Sequence, residues 1–146
     1  MKIFTIISLL CVLFSQKGTK ITVFHHGCEG TCPVYTVTLE SEKIGQVHFH
    51  QNKFGRNKDT VYFTNPDSVK TVYSLLTKIH FWDLKDSYIG DATYDLPTTT
   101  ITVVQDGIEK KITFNGLWRE ATYPHVLDSL SDIIDRIART ENQLIK

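Results

Sequence analysis

The chain has 146 residues, enough for one domain with its own hydrophobic core. It carries 16 basic and 16 acidic side chains, so its formal net charge is zero. A protein built to hold nucleic acid needs a basic surface, which this balance does not supply. We therefore expect no nucleic-acid partner.

Residues 1–15 have the composition of a secretory signal peptide. Lys2 supplies one positive charge, residues 3–14 are almost entirely apolar, and Ser15 is a small residue at the end of the run. The run is shorter than the roughly 20 apolar residues that span a bilayer. We expect cleavage just before Gln16, after which no stable membrane anchor remains.

The number of cysteines agrees with export. Cleavage removes Cys11 and leaves the pair Cys28 and Cys32, and an even number of cysteines suits an oxidising compartment.

Two alternatives to a signal peptide remain open for residues 1–15. One is an N-terminal core strand or helix, and the other is a lipid anchor on Cys11, which the bulky Leu10 disfavours.

Period-two alternation of apolar and polar residues predicts four strands in the first half of the mature chain. They cover residues 21–25, 33–39, 46–50 and 60–63. In the second strand Tyr35 and Leu39 share one face, whereas in the third His48 and His50 face solvent. Gly45 is expected in the tight return between these two strands.

A helix is predicted to begin at Asn65 and Pro66, because Asn caps free N–H groups and Pro suits the first helical position. Apolar residues then recur at helical spacing over residues 69–79. A long loop is expected over residues 81–97.

The strongest hairpin signal follows this loop. Residues 98–105 and 108–114 flank Asp106-Gly107, a pair that suits the positive φ angles of a type I′ turn. That register places Ile101 opposite Ile112.

Pro124 is predicted to open a C-terminal helix with an apolar stripe of Leu127, Leu130, Ile134 and Ile137. Residues 16–146 are therefore expected to form a single α+β domain. The predicted architecture is a two-layer sandwich, with an antiparallel sheet of five to six strands and two helices packed on one face.

Several segments resemble a known family. Residues 28–35 read Cys-Glu-Gly-Thr-Cys-Pro-Val-Tyr, which resembles the C-x-G-T-C-P-x-Y signature of a bacterial family of exported domains, domain-of-unknown-function family 6438. Residues 82–88, 95–99 (Asp-Leu-Pro-Thr-Thr) and 134–137 are similar to it in order and spacing. Gln143-Leu144 stands where the family has a Trp. The resemblance implies the fold and export, and it implies no activity.

Cys28 and Cys32 lie between the first two predicted strands. A hairpin there brings their Cα atoms within the roughly 4.4–6.8 Å that a disulfide requires, and Gly30 suits so tight a loop. We expect a structural disulfide. A redox-active dithiol is the alternative, but catalytic pairs are usually C-x-x-C at a helix N-terminus.

Four histidines are expected near these cysteines. His25 and His26 precede them, and the strand with His48 and His50 runs in the same direction as the first strand. Imidazole and thiolate are ligands of Zn²⁺ and Cu⁺. Since His48 and His50 fall on the solvent face, we interpret them as polar surface and expect no metal.

Aromatic residues in two long loops form the candidate binding surface. Trp82, Tyr88 and Tyr94 lie in or beside the first loop, and Trp118 lies in the second. Long loops are often functional, and rigid rings anchor binding surfaces. The alternative is that these rings pin the loops to the core. Both loops join the same end of the Asp106-Gly107 hairpin, so the four rings are expected to share one surface.

The chain has no nucleophile elbow, phosphate loop, metalloprotease motif or calcium loop, so we expect no catalytic residues and no cofactor. The leading hypothesis is a non-catalytic binding or interaction module, periplasmic or secreted, whose partner is an unknown protein or small-molecule ligand. The alternative is a thiol-disulfide or metal-handling protein that acts through the Cys28/Cys32 hairpin and the nearby histidines.

The signal-peptide hypothesis predicts the mature N-terminus. Expression of the full chain should give an exported product that begins near Gln16, because signal peptidase removes residues 1–15. Mass spectrometry of the exported protein measures this. An intact N-terminus retained in the cytoplasm would contradict the hypothesis.

Overall fold

Seven strands and two helices make up the described part of the chain. The computed structural model describes residues 18–28, 32–40, 45–51, 60–63, 66–89, 97–115 and 124–142. Its strands are β1 (Lys20–His25), β2 (Val34–Glu40), β3 (Gly45–Gln51), β4 (Thr60–Phe63), β5 (Ser87–Tyr88), β6 (Thr98–Gln105) and β7 (Ile108–Asn115). Its helices are α1 (Pro66–Lys78) and α2 (Val126–Asn142), and a single 3-10 turn, Phe81–Asp83, follows α1. Within these ranges, no helix is long and apolar enough to cross a bilayer.

β1 occupies the centre of the sheet. The strand order is β4-β3-β2-β1-β6-β7-β5. Neighbours pair antiparallel, except that β5 pairs in parallel with β7. The two helices contact each other and share one hydrophobic core, so they cover the same face of the sheet. The predicted two-layer α+β fold is confirmed.

Among the described residues the sheet has seven strands, one more than the upper limit of the prediction. The additional strand is β5, whose two residues are too few to show alternation in the sequence. α1 carries the chain from β4 at one edge of the sheet to β5 at the other.

Alternate residues of the central strands build the core. The buried apolar positions of the strands are Ile21, Val23, Tyr35, Val37, Leu39, Val47, Ile101, Val103, Ile112 and Phe114. The helices add Val69, Val72, Leu76, Leu127, Leu130, Ile134 and Ala138. Each fully buried aliphatic or phenyl side chain stabilises the fold by roughly 1.5–3 kcal/mol relative to exposure. The predicted shared face of Tyr35 and Leu39 is confirmed.

Local sequence signals set the turns as predicted. Asp106 has φ 54° and Gly107 has φ 82°, the two positive angles of a type I′ turn, and Ile101 pairs with Ile112. α1 begins at Pro66 as predicted. α2 begins two residues after Pro124.

Two predictions about turns and loops are wrong. The segment after α1 is not a structureless loop, because Phe81 is fully buried and β5 joins the sheet. Phe81 follows the left-handed His80, where the helix has ended, and its ring packs into the core. Gly45 begins β3 and does not stand in the return before it.

α1 ends in a left-handed residue that is not glycine. His80 has φ 52° and ψ 49°, and its N–H donates to the carbonyl of Thr77 at 3.2 Å. Such a residue closes many helices, and glycine adopts the conformation without a steric penalty from Cβ. The exposed ion pair of His80 with Asp83, at 3.8 Å, contributes little.

His80→Gly should therefore stabilise the protein by about 0.5–1 kcal/mol, because it removes the Cβ penalty of the left-handed conformation. The free energy of unfolding in urea measures this. The matched control is Ser74→Gly, which places glycine at an exposed position inside α1 and should destabilise. A loss of stability in His80→Gly would contradict the assignment of this helix end.

Candidate functional site

The Cys28–Cys32 loop joins the ends of the two central strands β1 and β2. The structure joins the two sulfurs in a disulfide, and the Cα atoms stand 5.4 Å apart. Just before the loop, a Cβ added to Gly27 would stand 3.0 Å from Cγ2 of Val34. The backbone is therefore drawn close to β2 where it enters the loop, and glycine fits this contact.

One buried carboxylate receives side chains from both strands that enter this loop. Nε2 of His25 lies 3.2 Å from Oδ1 and 3.1 Å from Oδ2 of Asp135 on α2. The hydroxyl of Tyr35 donates to Oδ2 at 3.1 Å. Oγ1 of Thr99 lies 3.4 Å from Nδ1 of His25. We call His25, Tyr35, Thr99 and Asp135 the Asp135 clamp.

Strand alternation places His25 and Tyr35, two members of the Asp135 clamp, on the face that the helices cover. His25 follows Ile21 and Val23 at period two on β1, so it turns towards the helices. Tyr35 is its direct partner on β2, and their rings stack with centroids 4.3 Å apart. Sequence reasoning missed Asp135 as their partner, because it lies 110 residues from His25.

Proton positions in the Asp135 clamp follow from its chemistry. An ionised carboxylate only accepts hydrogen bonds, so Nε2 of His25 carries a proton. The other ring nitrogen, Nδ1, faces the hydroxyl of Thr99. Asp135 is only 9% exposed, and a buried carboxylate is costly unless it is hydrogen-bonded. The clamp thereby satisfies a charge at the sheet–helix interface.

Carboxylate, imidazole and hydroxyl also occur together in hydrolase triads, but this arrangement suits packing better. The contact between Thr99 and His25, at 3.4 Å, is at the far limit of a hydrogen bond. The stacked ring of Tyr35 covers one face of the imidazole. We therefore assign the Asp135 clamp to holding α2 on the sheet.

The prediction that four histidines gather near the cysteines holds for their common end of the sheet, but the four do not share one face. His25 lies on the face covered by α1 and α2, whereas His26, His48 and His50 lie on the opposite face, which we call the open face. Consecutive strand residues point to opposite faces, so His25 and His26 are separated by the sheet. Among the described residues, no three His, Cys, Asp or Glu side chains are placed to hold a metal.

Rings and hydroxyls line the open face. Phe24 contacts His26 and His50 with ring centroids 4.3 and 5.4 Å apart, and His48 contacts His50 at 4.7 Å. Each imidazole meets a threonine hydroxyl: His26 with Thr100 at 3.0 Å, His48 with Thr60 at 2.8 Å and His50 with Thr36 at 2.6 Å. These contacts agree with the predicted polar surface.

Of the four rings predicted to share a binding surface, the structure describes two. Trp82 is 37% exposed, and Tyr88 is half-buried on β5 with its hydroxyl accepting from the N–H of Lys85 at 3.0 Å. Tyr94 and Trp118 lie outside the described residues.

Sequence reasoning missed Ile89, which follows β5 and is 48% exposed. It also missed Lys110 of β7, whose ammonium donates to the carbonyl of Leu84 at 2.6 Å and to Asp86 at 2.5 Å. Lys110 therefore fixes the segment between α1 and β5 to the sheet.

A family model described as a domain of unknown function, DUF6438, matches residues 19–138. The chain belongs to the DUF6438 family. In this DUF6438 domain the matched range runs from β1 to Ala138 of α2, so it contains the disulfide loop and the whole Asp135 clamp. Among curated proteins, no relative matches the chain.

Three of the segments that carried the resemblance in the sequence meet at the Asp135 clamp. Tyr35 ends the cysteine segment, Thr99 ends the Asp-Leu-Pro-Thr-Thr segment, and Asp135 comes from the C-terminal helix. Segments far apart in the chain therefore converge on one carboxylate.

The open face gives a prediction about pH. Burial, the charge of Lys111 and the neighbouring His25 lower the pKa of His26 from its ordinary value of about 6.5. As the pH falls through that value, the unfolded chain binds this proton before the folded one, so the folded state loses stability. His26→Gln should remove part of the loss of stability that the wild type shows between about pH 7.5 and about pH 5. Urea unfolding of both proteins across this range measures it, and identical pH profiles would contradict the prediction.

Proposed function

We propose that this DUF6438 domain is an exported, non-catalytic binding module that contacts a partner protein through the edge of its sheet at Trp82 and Ile89. The observation that carries the proposal is the exposure of these two large apolar side chains, 37% and 48%, on one short segment. Large exposed apolar side chains on one ordered segment are candidates for an interaction site.

The segment with Trp82 is held rigidly. The neighbouring Phe81 is fully buried, and its ring meets that of Trp82 edge-on with centroids 6.3 Å apart. Lys110 fastens the following residues to β7 through Leu84 and Asp86. A side chain presented on a pre-ordered backbone loses less conformational entropy on binding, so this segment suits a contact surface.

Tyr94 and Trp118 remain part of the proposal because of where their segments leave the sheet. Tyr88 pairs with Phe114 on β7, close to where β7 ends at Asn115. The segment with Tyr94 leaves the sheet after Ile89, and the segment with Trp118 leaves after Asn115. Both therefore start from the same corner of the sheet, beside Ile89.

Export forms part of the proposal because of the signal-peptide pattern in residues 1–15 and the disulfide. The first 15 residues have the pattern of a signal peptide, and disulfides persist in oxidising compartments. We place the domain in the periplasm or outside the cell.

The alternative of thiol-disulfide or metal handling receives less support. Cys28 and Cys32 lie between two strands, away from the helix N-terminus that activates catalytic thiols. The histidines proposed to assist them are divided between two faces of the sheet.

Site-specific photo-crosslinking tests the binding surface. A photoreactive phenylalanine analogue at position 82 or 89 of the full chain should give a discrete adduct in the source cells, because these side chains touch the partner. The matched control is position 108, since Ile108 is an apolar residue 65% exposed at the far end of the β6–β7 hairpin. It should give no such adduct.

Competition separates binding from chance proximity. Excess purified wild type and Ile108→Ala should both suppress the adduct at position 89, whereas Trp82→Ala should not. Trp82→Ala should lose less than about 1 kcal/mol of stability, as surface substitutions do. Equal adducts at positions 82 and 108, or full competition by Trp82→Ala, would refute the proposal.

A further inference from the structure

Two different connections hold the same end of the β1–β2 pairing. His25 and Tyr35 are the last residue pair of that ladder. Beyond them the chain continues to Cys28 and Cys32, which the disulfide joins. The Asp135 clamp binds the pair by side chains, because one carboxylate contacts His25 and Tyr35 together.

These connections depend on each other because ladder ends open easily. The terminal pairs of a β-ladder separate at low free-energy cost unless something restrains them. The disulfide restrains them covalently and keeps the His25 and Tyr35 side chains side by side for Asp135. When the disulfide is broken, His25 and Tyr35 move independently, so each meets the Asp135 carboxylate at a lower effective concentration.

We propose that the disulfide and the Asp135 clamp together form a redox-sensitive switch on the docking of α2. Reduction of Cys28–Cys32 weakens the contacts of Asp135 with His25 and Tyr35 and loosens the turn of α2 around residues 134–138. The N-terminal part of α2 stays docked, because Leu127 and Leu130 are fully buried and lie more than one helical turn before Asp135.

The chemical step is balanced by a dithiol reductant. A thiolate of the reductant attacks one sulfur, the Cys28–Cys32 bond breaks, and the mixed disulfide resolves as the second thiol of the reductant displaces the remaining cysteine. Two electrons and two protons pass to the protein, which then holds two thiols, while the reductant becomes a disulfide. Both cysteines are partly exposed, so a reductant reaches them.

Thermodynamic linkage requires that the Asp135 clamp also affects the reduction of the disulfide. If reduction weakens the Asp135 clamp by a given factor, then weakening the clamp favours reduction by the same factor. The position of the thiol–disulfide equilibrium therefore measures the strength of the clamp.

Two tyrosine hydroxyls provide a matched test. Tyr35→Phe removes the hydroxyl that donates to Asp135 and keeps the stacked ring. Tyr73→Phe removes a hydroxyl that donates to the carbonyl of Thr19 at 2.8 Å, beside the opposite end of β1. Each change removes a tyrosine hydroxyl that donates a hydrogen bond, and only the first hydroxyl lies in the clamp.

The equilibrium constant for reduction by dithiothreitol should rise roughly fivefold or more in Tyr35→Phe, the lower end of typical coupling between sites. In Tyr73→Phe it should change by less than about twofold, since distant sites act independently. An unchanged constant in folded Tyr35→Phe, or an equal rise in Tyr73→Phe, overturns the proposal.

Hydrogen exchange on the wild type needs no substitution and keeps the test valid if a variant fails to fold. Reduction should accelerate amide exchange at residues 134–138 at least about fivefold more than at residues 127–130, because only the first group adjoins the clamp. Equal acceleration of both groups, or none, overturns the proposal.

Discussion

β1 is the strand on which the rest of the structure depends. It lies at the centre of the sheet, so its alternation assigns residues to both layers of the domain. Ile21, Val23 and His25 turn towards the helices, while Phe24 and His26 turn to the open face. A shift of one residue in its pairing would exchange these two sets and expose the core. The register of β1 with β2 and β6 is therefore the constraint that the core, the Asp135 clamp and the open face share.

Polar side chains are hydrogen-bonded in different ways on the two faces of the sheet. On the covered face the carboxylate of Asp135 contacts His25 and Tyr35, and these contacts satisfy it where the helix meets the sheet. On the open face imidazoles and threonine hydroxyls bond to each other. The first arrangement connects distant parts of the chain, and the second leaves a polar surface.

The proposed contact surface belongs to the segment that runs from the 3-10 turn after α1 to the end of the edge strand β5. Trp82 is exposed there because its neighbour Phe81 is taken into the core, so the short 3-10 turn presents one ring inward and the next outward. The disulfide loop lies at the centre of the sheet, where it adjoins α2 through the clamp. A redox event at the loop and a partner at the edge therefore act on different elements, and the two proposals stand or fall separately.

The sequence by itself determined the strands, the turn and the helix start that depend only on residues close together in the chain. Alternation predicted the strands β1 to β4 to within about one residue at each end. Asp106-Gly107 predicted the turn and, through it, the pairing of Ile101 with Ile112. Pro66 predicted the start of α1. Each of these follows from local backbone preferences, so no distant contact was needed.

Only the tertiary structure decided which distant residues meet. The alternation of β1 already separates His25 from His26, but the prediction that the histidines gather considered only their common end of the sheet and not their faces. Asp135 is unmarked in the sequence as the partner of His25 and Tyr35, because α2 can pack on the sheet at several heights with the same apolar stripe. β5 and the exposed Ile89 likewise depend on where α1 returns the chain. Their positions are set by packing between elements far apart in sequence, and no local pattern records that packing.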